Sequence, residues 1–156
     1  MEVFIRNTEE MDSFAREILQ SITKKRQQNH EANTVIGACV IGLSGELGAG
    51  KTAFAKSFAR ALSILEPIPS PTFVLARFYN IAQSHDFTRL VHIDAYRIEE
   101  TSELAVLDWA GLQVDAKNII LVEWPENMKE LFPVHADTIF FEVENETTRK
   151  VRTNLT

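Results

Sequence analysis

Gly45-Glu46-Leu47-Gly48-Ala49-Gly50-Lys51-Thr52 decides the fold of this chain. The stretch fits the pattern G-x-x-x-x-G-K-[ST], the phosphate-binding loop of nucleoside triphosphatases. The run of residues 35–41 before it is apolar and rich in β-branched side chains, which predicts a buried strand. After the loop, apolar residues recur at helical spacing on one face: Phe54, Ala55, Phe58, Ala59 and Leu62. Strand, glycine-rich loop and helix in this order are the context that the motif requires.

The residue types in the loop suit a phosphate group. Glycines let the backbone adopt conformations closed to other residues, so that several N–H groups point into one anion-sized cavity. A helix that starts near Lys51 adds its positive end, the Lys51 ammonium can reach the β- and γ-phosphates, and the Thr52 hydroxyl is placed to bind Mg²⁺. A glycine-rich turn without a ligand is disfavoured, because Lys-Thr follows the glycines directly.

Length and composition indicate one soluble domain spanning residues 1–156. The chain has 156 residues, is 45% hydrophobic and carries a net charge of −6. The negative charge argues against a broad nucleic-acid surface, so no DNA partner is expected, although a local basic patch remains compatible. No N-terminal signal and no apolar run of about 18 residues occur, which predicts a cytoplasmic protein without a membrane partner. The single cysteine, Cys39, is expected to pack in the core.

Periodicity predicts the elements around the loop. Glu2 to Arg6 is a candidate edge strand, and Asn7 with Glu10 forms a capping box for a helix whose C-terminal end carries Lys24, Lys25 and Arg26. The apolar stripe of that helix consists of Met11, Phe14, Ala15, Ile18, Leu19 and Ile22. The polar segment from Gln27 to Asn33 is then predicted to be a loop.

Further strands complete an α/β order. Three further strands are predicted, at Phe73 to Tyr79, Leu90 to Asp94 and Asn118 to Glu123. A stiff proline-rich loop from Glu66 to Pro71 precedes the first of them, and a short helix capped by Thr101 or Ser102 and ended by Gly111 precedes the last. Thr138 to Val143 and Lys150 to Leu155 are predicted to pair as a hairpin. We therefore predict a nucleotide-triphosphatase-like α/β fold with a mostly parallel central sheet, flanked by helices and extended by antiparallel strands.

Two acidic residues end apolar strands. Asp94 follows Leu90 to Ile93, and Glu123 follows Ile119 to Val122. Ligands of open α/β sheets gather at the carboxyl ends of strands, so either carboxylate is a candidate for holding the cation or orienting water. Thr72, in a Ser-Pro-Thr-Phe segment, offers a hydroxyl from a stiff loop, and His92 shares a strand face with Asp94 as a supporting or core residue.

Four segments in this order resemble the TsaE (YjeE) family of bacterial ATPases of tRNA threonylcarbamoyladenosine biosynthesis. The segments are the phosphate loop, Ser70-Pro71-Thr72-Phe73, His92-Ile93-Asp94-Ala95-Tyr96-Arg97 and Val122-Glu123-Trp124-Pro125-Glu126. The loop is common to many nucleotide-binding proteins, whereas the combination is specific, and the match covers essentially the whole chain. One departure is Glu46, where many members carry aspartate.

The resemblance implies a site and a role. The cofactors would be ATP and Mg²⁺, with the phosphates wrapped by Glu46, Leu47, Gly48, Ala49, Gly50, Lys51 and Thr52, and with an ATP contact at Thr8. Thr52 and Glu123 would bind Mg²⁺, Asp94 would serve hydrolysis, and Thr72 would be the switch-loop threonine. The partners would be TsaD and TsaB, with tRNA reached through their complex, and hydrolysis, weak without partners, would reset the assembly between turnovers.

Other functions use the same loop. A small-molecule kinase would transfer the γ-phosphoryl group to a metabolite and usually needs an arginine-bearing lid, yet the nine arginines are dispersed along the chain. A GTPase switch usually carries an Asn-Lys-x-Asp segment, which does not occur. A nucleotide-gated interaction module with almost no turnover stays open as a third alternative.

Overall fold

Strands and helices alternate along most of the chain. The computed structural model describes residues 1–32, 37–69, 74–82 and 86–155. The strands are β1 Glu2–Ile5, β2 Cys39–Ser44, β3 Ala76–Asn80, β4 Arg89–Asp94, β5 Asn118–Glu123, β6 Asp137–Val143 and β7 Arg149–Thr153. The α-helices are α1 Thr8–Glu31, α2 Lys51–Ala61 and α3 Trp109–Val114, and 3-10 helices cover Ala95–Arg97, Thr101–Leu107 and Pro125–Leu131.

The strands form one seven-stranded sheet in the order β1-β7-β6-β2-β5-β4-β3. The central strands β6, β2, β5 and β4 run parallel, whereas β3 at one edge and β7 and β1 at the other pair antiparallel. In the central register Glu123 is paired with Leu43 on one side and with Asp94 on the other. The carboxyl ends of β2, β5 and β4 are therefore level, and the predicted fold class is confirmed.

Each face of the sheet carries its own hydrophobic cluster. On one face α1 and α2 pack together over the sheet, and the Phe54 ring contacts Phe14, Phe58 and Phe141. On the other face α3 and the 3-10 helices cover alternate residues of the same strands, among them Ile120 and Val122. This two-sided burial explains why Ile119 to Val122 form a continuous apolar run rather than an alternating one.

The first helix is longer than predicted. α1 continues to Glu31, so the loop predicted from Gln27 to Asn33 is wrong from Gln27 to Glu31. The polar run contains no glycine or proline and is rich in good helix formers. Arg26 also extends the buried stripe, because its guanidinium lies over the Phe87 ring at 4.7 Å.

Two residues that were predicted to mark helix ends have different contacts in the structure. Asn7 caps α1 by accepting from Glu10 N at 2.9 Å, but the Glu10 carboxylate accepts from Arg6 N, one residue earlier than a capping box requires. Gly111 lies inside α3 and does not end a helix. Its missing side chain makes room for the Asp108 carboxylate, which accepts from Gly111 N, and the 3-10 helix before it is capped by Glu100.

Two expectations from composition concern Cys39 and membranes. Cys39 packs against the core, and burial raises the pKa of its thiol to about 12, so the thiol is protonated at neutral pH. Within the described ranges, no helix has both the length and the apolar character needed to cross a membrane.

Candidate functional site

The glycine-rich loop connects the end of β2 to the start of α2 in positive-φ conformations. Gly45 has φ 146°, and a Cβ there would lie 2.3 Å from the Phe141 carbonyl oxygen, so only glycine fits beside β6. Gly50 has φ 111° and leads directly into Lys51, the first residue of α2. The first N–H groups of a helix have no partner within it, so the start of α2 offers donors for an anion.

Lys51 is buried in the wall of this loop, with 4% of its surface exposed. Its Nζ donates to the carbonyl oxygens of Gly45 and Glu46, the latter at 2.8 Å, and lies 3.9 Å from the centroid of the Trp124 ring. Burial lowers the pKa of Lys51, against the opposing effect of the negative charges of Glu123, Glu126 and Asp94. The ammonium is thus positioned by its own loop and by Trp124.

Trp124 follows β5 in the left-handed region, with φ 60°. This conformation turns the chain sharply at the strand end, and the indole contacts the Tyr96 ring at a centroid distance of 5.1 Å. Trp124 therefore lies beside the loop and in contact with Lys51, which the sequence did not indicate.

Thr52 and Glu123 are in direct contact. The Thr52 hydroxyl donates to Glu123 Oε1 at 3.0 Å and lies 3.2 Å from Oε2. Glu123 is 4% exposed and its Oε1 also lies 2.9 Å from His92 Nε2. The structure thus brings the two predicted cation ligands together, with His92 behind them.

Asp94 is the neighbour of Glu123 in the β4–β5 register and is half-buried. Its Oδ1 accepts from Tyr96 N at 3.0 Å. Burial raises the pKa of Asp94, the Glu123 charge adds to this, and the Tyr96 hydrogen bond and the Lys51 charge oppose it. Asp94 therefore binds a proton more readily than an exposed aspartate.

We expect Asp94→Asn to stabilise the fold near neutral pH. Because the folded-state pKa is raised, the folded chain binds more protons than the unfolded chain between the two pKa values, and stability falls as pH rises through this window. Asparagine keeps the acceptor for Tyr96 N and removes the buried charge. Urea unfolding at pH 7 should show a higher free energy of unfolding for Asp94→Asn than for the wild type. This difference should shrink towards pH ~4, near the unfolded pKa of aspartate. A loss of stability at pH 7 would contradict this.

The remaining predicted site residues have different environments. Ala49 is buried, whereas Glu46 and Leu47 are exposed. Leu47 lies at the loop tip, and 82% of its surface is exposed. Thr8, at the start of α1, lines a cavity of about 440 Å³ together with Gly48 and Gly50. The structure thus places Thr8 beside the phosphate loop. Thr72, with the whole segment Ser70 to Phe73, lies outside the described residues.

Sequence reasoning missed Arg149. This residue begins β7, lines the same cavity, and its Nε donates to the Gly48 carbonyl oxygen at 3.3 Å. Its guanidinium also donates to the Asn145 carbonyl oxygen at 3.0 Å. No local pattern singles out Arg149, because its proximity to the loop depends on β7 pairing with β6 beside β2.

The donor set suits a nucleotide triphosphate with Mg²⁺. Thr52 and Glu123 offer hard oxygen ligands, and Lys51, Arg149 and the helix start supply positive charge. Across the described residues, no group of three or more His, Cys, Asp or Glu side chains is arranged to hold a metal ion.

The fold and the loop together define an α/β protein of the phosphate-loop class. The family model described as "Threonylcarbamoyl adenosine biosynthesis protein TsaE" matches residues 5–152. The chain therefore belongs to the TsaE family, and the resemblance inferred from its four segments is confirmed.

Individual relatives agree with this assignment. A "tRNA threonylcarbamoyladenosine biosynthesis protein TsaE" from Mycobacterium tuberculosis is 39% identical over 115 residues, which are 70% of this chain and 68% of the relative. Its namesake from Aquifex aeolicus is 37% identical over 124 residues, covering 78% of this chain and 80% of the relative. The crystal structure of Bacillus subtilis YdiB has a TM-score of 0.67 at 24% identity, covers 98% of this chain and 83% of that one, and supports the fold.

Proposed function

We propose that this chain binds ATP with Mg²⁺ and hydrolyses it as the ATPase of the machinery that makes N6-threonylcarbamoyladenosine in tRNA. The contact between Thr52 and Glu123, 3.0 Å apart beside the buried Lys51, carries the nucleotide part of the proposal. Membership of the TsaE family carries the pathway part. TsaD and TsaB are the proposed partners, tRNA is reached through their complex, and the cytoplasm is the proposed compartment.

Each side chain has a separate task in this proposal. The loop from Glu46 to Thr52 and the start of α2 bind the phosphates, while Lys51 and Arg149 balance their charge. Thr52 and Glu123 hold Mg²⁺, which would neutralise negative charge on the phosphates when bound. Asp94 orients the attacking water and accepts its proton. The hydroxyl of Thr72, as the switch-loop threonine, is proposed to contact the γ-phosphate.

The contacts of Lys51 support the proposal that the isolated chain turns over slowly. Its ammonium is held by two loop carbonyls and covered by the Trp124 ring. These contacts must be exchanged for phosphate oxygens before Lys51 can act on a nucleotide. A partner that engages Trp124 or the exposed Leu47 would favour this exchange, and hydrolysis would then reset the TsaD–TsaB complex between turnovers.

The experiment that tests this function combines recovery of partners with nucleotide hydrolysis. A tagged chain incubated in cytosol should recover TsaD and TsaB, in an amount that depends on added ATP. The purified chain should release γ-phosphate slowly alone and faster with both partners. Recovery of a metabolic enzyme, metabolite-dependent phosphoryl transfer or a clear preference for GTP over ATP would contradict the proposal.

Replacing Glu123 by alanine is expected to abolish the Mg²⁺ dependence of ATP binding. The variant loses the carboxylate that contacts Thr52, so ATP affinity with Mg²⁺ should fall to the value measured without it. Calorimetric titration with and without Mg²⁺ measures both affinities. Glu130→Ala, which removes an exposed carboxylate from the following 3-10 helix, is the matched control and should behave like the wild type. Equal wild-type affinity with and without Mg²⁺ would defeat the assignment.

A further inference from the structure

His92 occupies a fully buried position behind the proposed cation site. It lies on β4, is 0% exposed, and is paired with Leu121 in the β4–β5 register. Its neighbours on the same face of the sheet include Leu90 on β4 and Leu121 on β5, both apolar and buried. The imidazole of His92 stands among these apolar side chains at the position next to Glu123, so packing alone does not explain why the residue is a histidine.

The hydrogen bonds of His92 point to one tautomer. Nε2 lies 2.9 Å from Glu123 Oε1, whereas Nδ1 is buried and has no hydrogen-bond partner in the described part of the chain. A carboxylate only accepts, so the Nε2 proton donates to Glu123 and Nδ1 keeps its lone pair. A buried acceptor without a partner is better tolerated than a buried donor without one.

Glu123 needs such a donor. Its carboxylate is buried, and the Thr52 hydroxyl and His92 Nε2 both contact Oε1. An unpaired buried carboxylate is costly, and a glutamate side chain has three rotatable bonds that must be fixed before its oxygens can serve a metal. Mg²⁺ demands near-ideal octahedral geometry, so the orientation of Glu123 matters for its affinity.

We propose that His92 is a positioning residue that holds the Glu123 carboxylate against Thr52 and so sets the affinity of the site for Mg²⁺. The inference rests on the proposed function and adds a residue to it. His92 itself neither touches the nucleotide nor acts as a base, because it is buried and its Nε2 proton is committed to Glu123.

The test compares three substitutions through Mg²⁺ titration of ATP binding. His92→Gln places an amide N–H near the position of Nε2, His92→Asn places one near Nδ1, and His92→Leu offers none. We expect His92→Leu and His92→Asn to weaken Mg²⁺ affinity of the ATP complex roughly 10- to 100-fold, the usual effect of losing such a supporting group. His92→Gln should restore most of the loss, and ATP affinity without Mg²⁺ should stay unchanged in all three.

Leu121→Ala is the matched control, because it removes buried apolar volume beside His92 and leaves both hydrogen-bond partners of Glu123 in place. It should lower the free energy of unfolding while preserving Mg²⁺ affinity. Wild-type Mg²⁺ affinity in His92→Leu, or in His92→Asn if the leucine variant does not fold, would overturn the inference. Equal losses with and without Mg²⁺, or no rescue by glutamine, would also overturn it. A wild-type protein that binds no ATP would instead overturn the proposed function.

Discussion

Lys51→Ala is expected to weaken ATP binding roughly 10- to 100-fold. The ammonium is the buried cation of the loop, and hydrogen bonds to charged groups contribute about 1.5–3 kcal/mol each. The substitution also removes the donor for the Gly45 and Glu46 carbonyl oxygens, so the loop loses internal support. Calorimetric titration with ATP and Mg²⁺ measures the loss.

Lys24→Ala provides the control for net charge. Lys24 is exposed on α1 and lies more than four helical turns from Thr8, so its removal should leave ATP affinity unchanged. Circular dichroism and the unfolding midpoint establish whether Lys51→Ala stays folded. A folded Lys51→Ala protein with wild-type ATP affinity would refute the proposed nucleotide site.

Asp94→Asn is expected to leave ATP binding intact and to lower hydrolysis in the assembly with TsaD and TsaB by about 10²–10⁴-fold. This range is typical for the loss of a positioned general base. Asp94 is next to Glu123 at the strand ends, and burial raises its pKa, which suits proton acceptance. Single-turnover γ-phosphate release separates the chemical step from product release.

Asp86→Asn is the matched control for this substitution, since Asp86 is exposed and precedes the opposite end of β4. It should hydrolyse ATP at the wild-type rate. Normal hydrolysis by Asp94→Asn in the full assembly would assign the catalytic role elsewhere. Weaker ATP binding by the same variant would indicate that Asp94 shares the cation with Glu123.

Most strands and most of the core stripe could be predicted because local patterns encode them, although β2 covers Cys39–Ser44 where the sequence predicted a strand over residues 35–41. The sequence boundaries of Asn118–Glu123 agree with β5, and the stripe from Met11 to Ile22 is buried as expected. The extension of α1 to Glu31 agrees with its local helix formers, whereas the burial of Arg26 could not be predicted, because it depends on the Phe87 ring beneath the guanidinium. The part played by Gly111 likewise depends on the neighbouring Asp108 side chain.

The residues of the candidate site could be located from the sequence, whereas the contacts between them could not. The motif located Lys51 and Thr52, and the strand-end argument located Asp94 and Glu123, because the ends of parallel strands meet at one edge. Their assigned roles stay predictions. The bond between Thr52 and Glu123, the support by His92 and the position of Trp124 over Lys51 depend on the register between β5 and its neighbours.

By itself, the sequence determined the phosphate loop, the α/β order of elements and the TsaE family. These follow from residue types at short spacings, where steric and hydrophobic preferences act locally. The tertiary structure alone decided which oxygens and cations meet. Arg149 reaches Gly48 across 101 positions of sequence because β7 pairs with β6, which in turn pairs with β2, and no short-range pattern encodes such a contact.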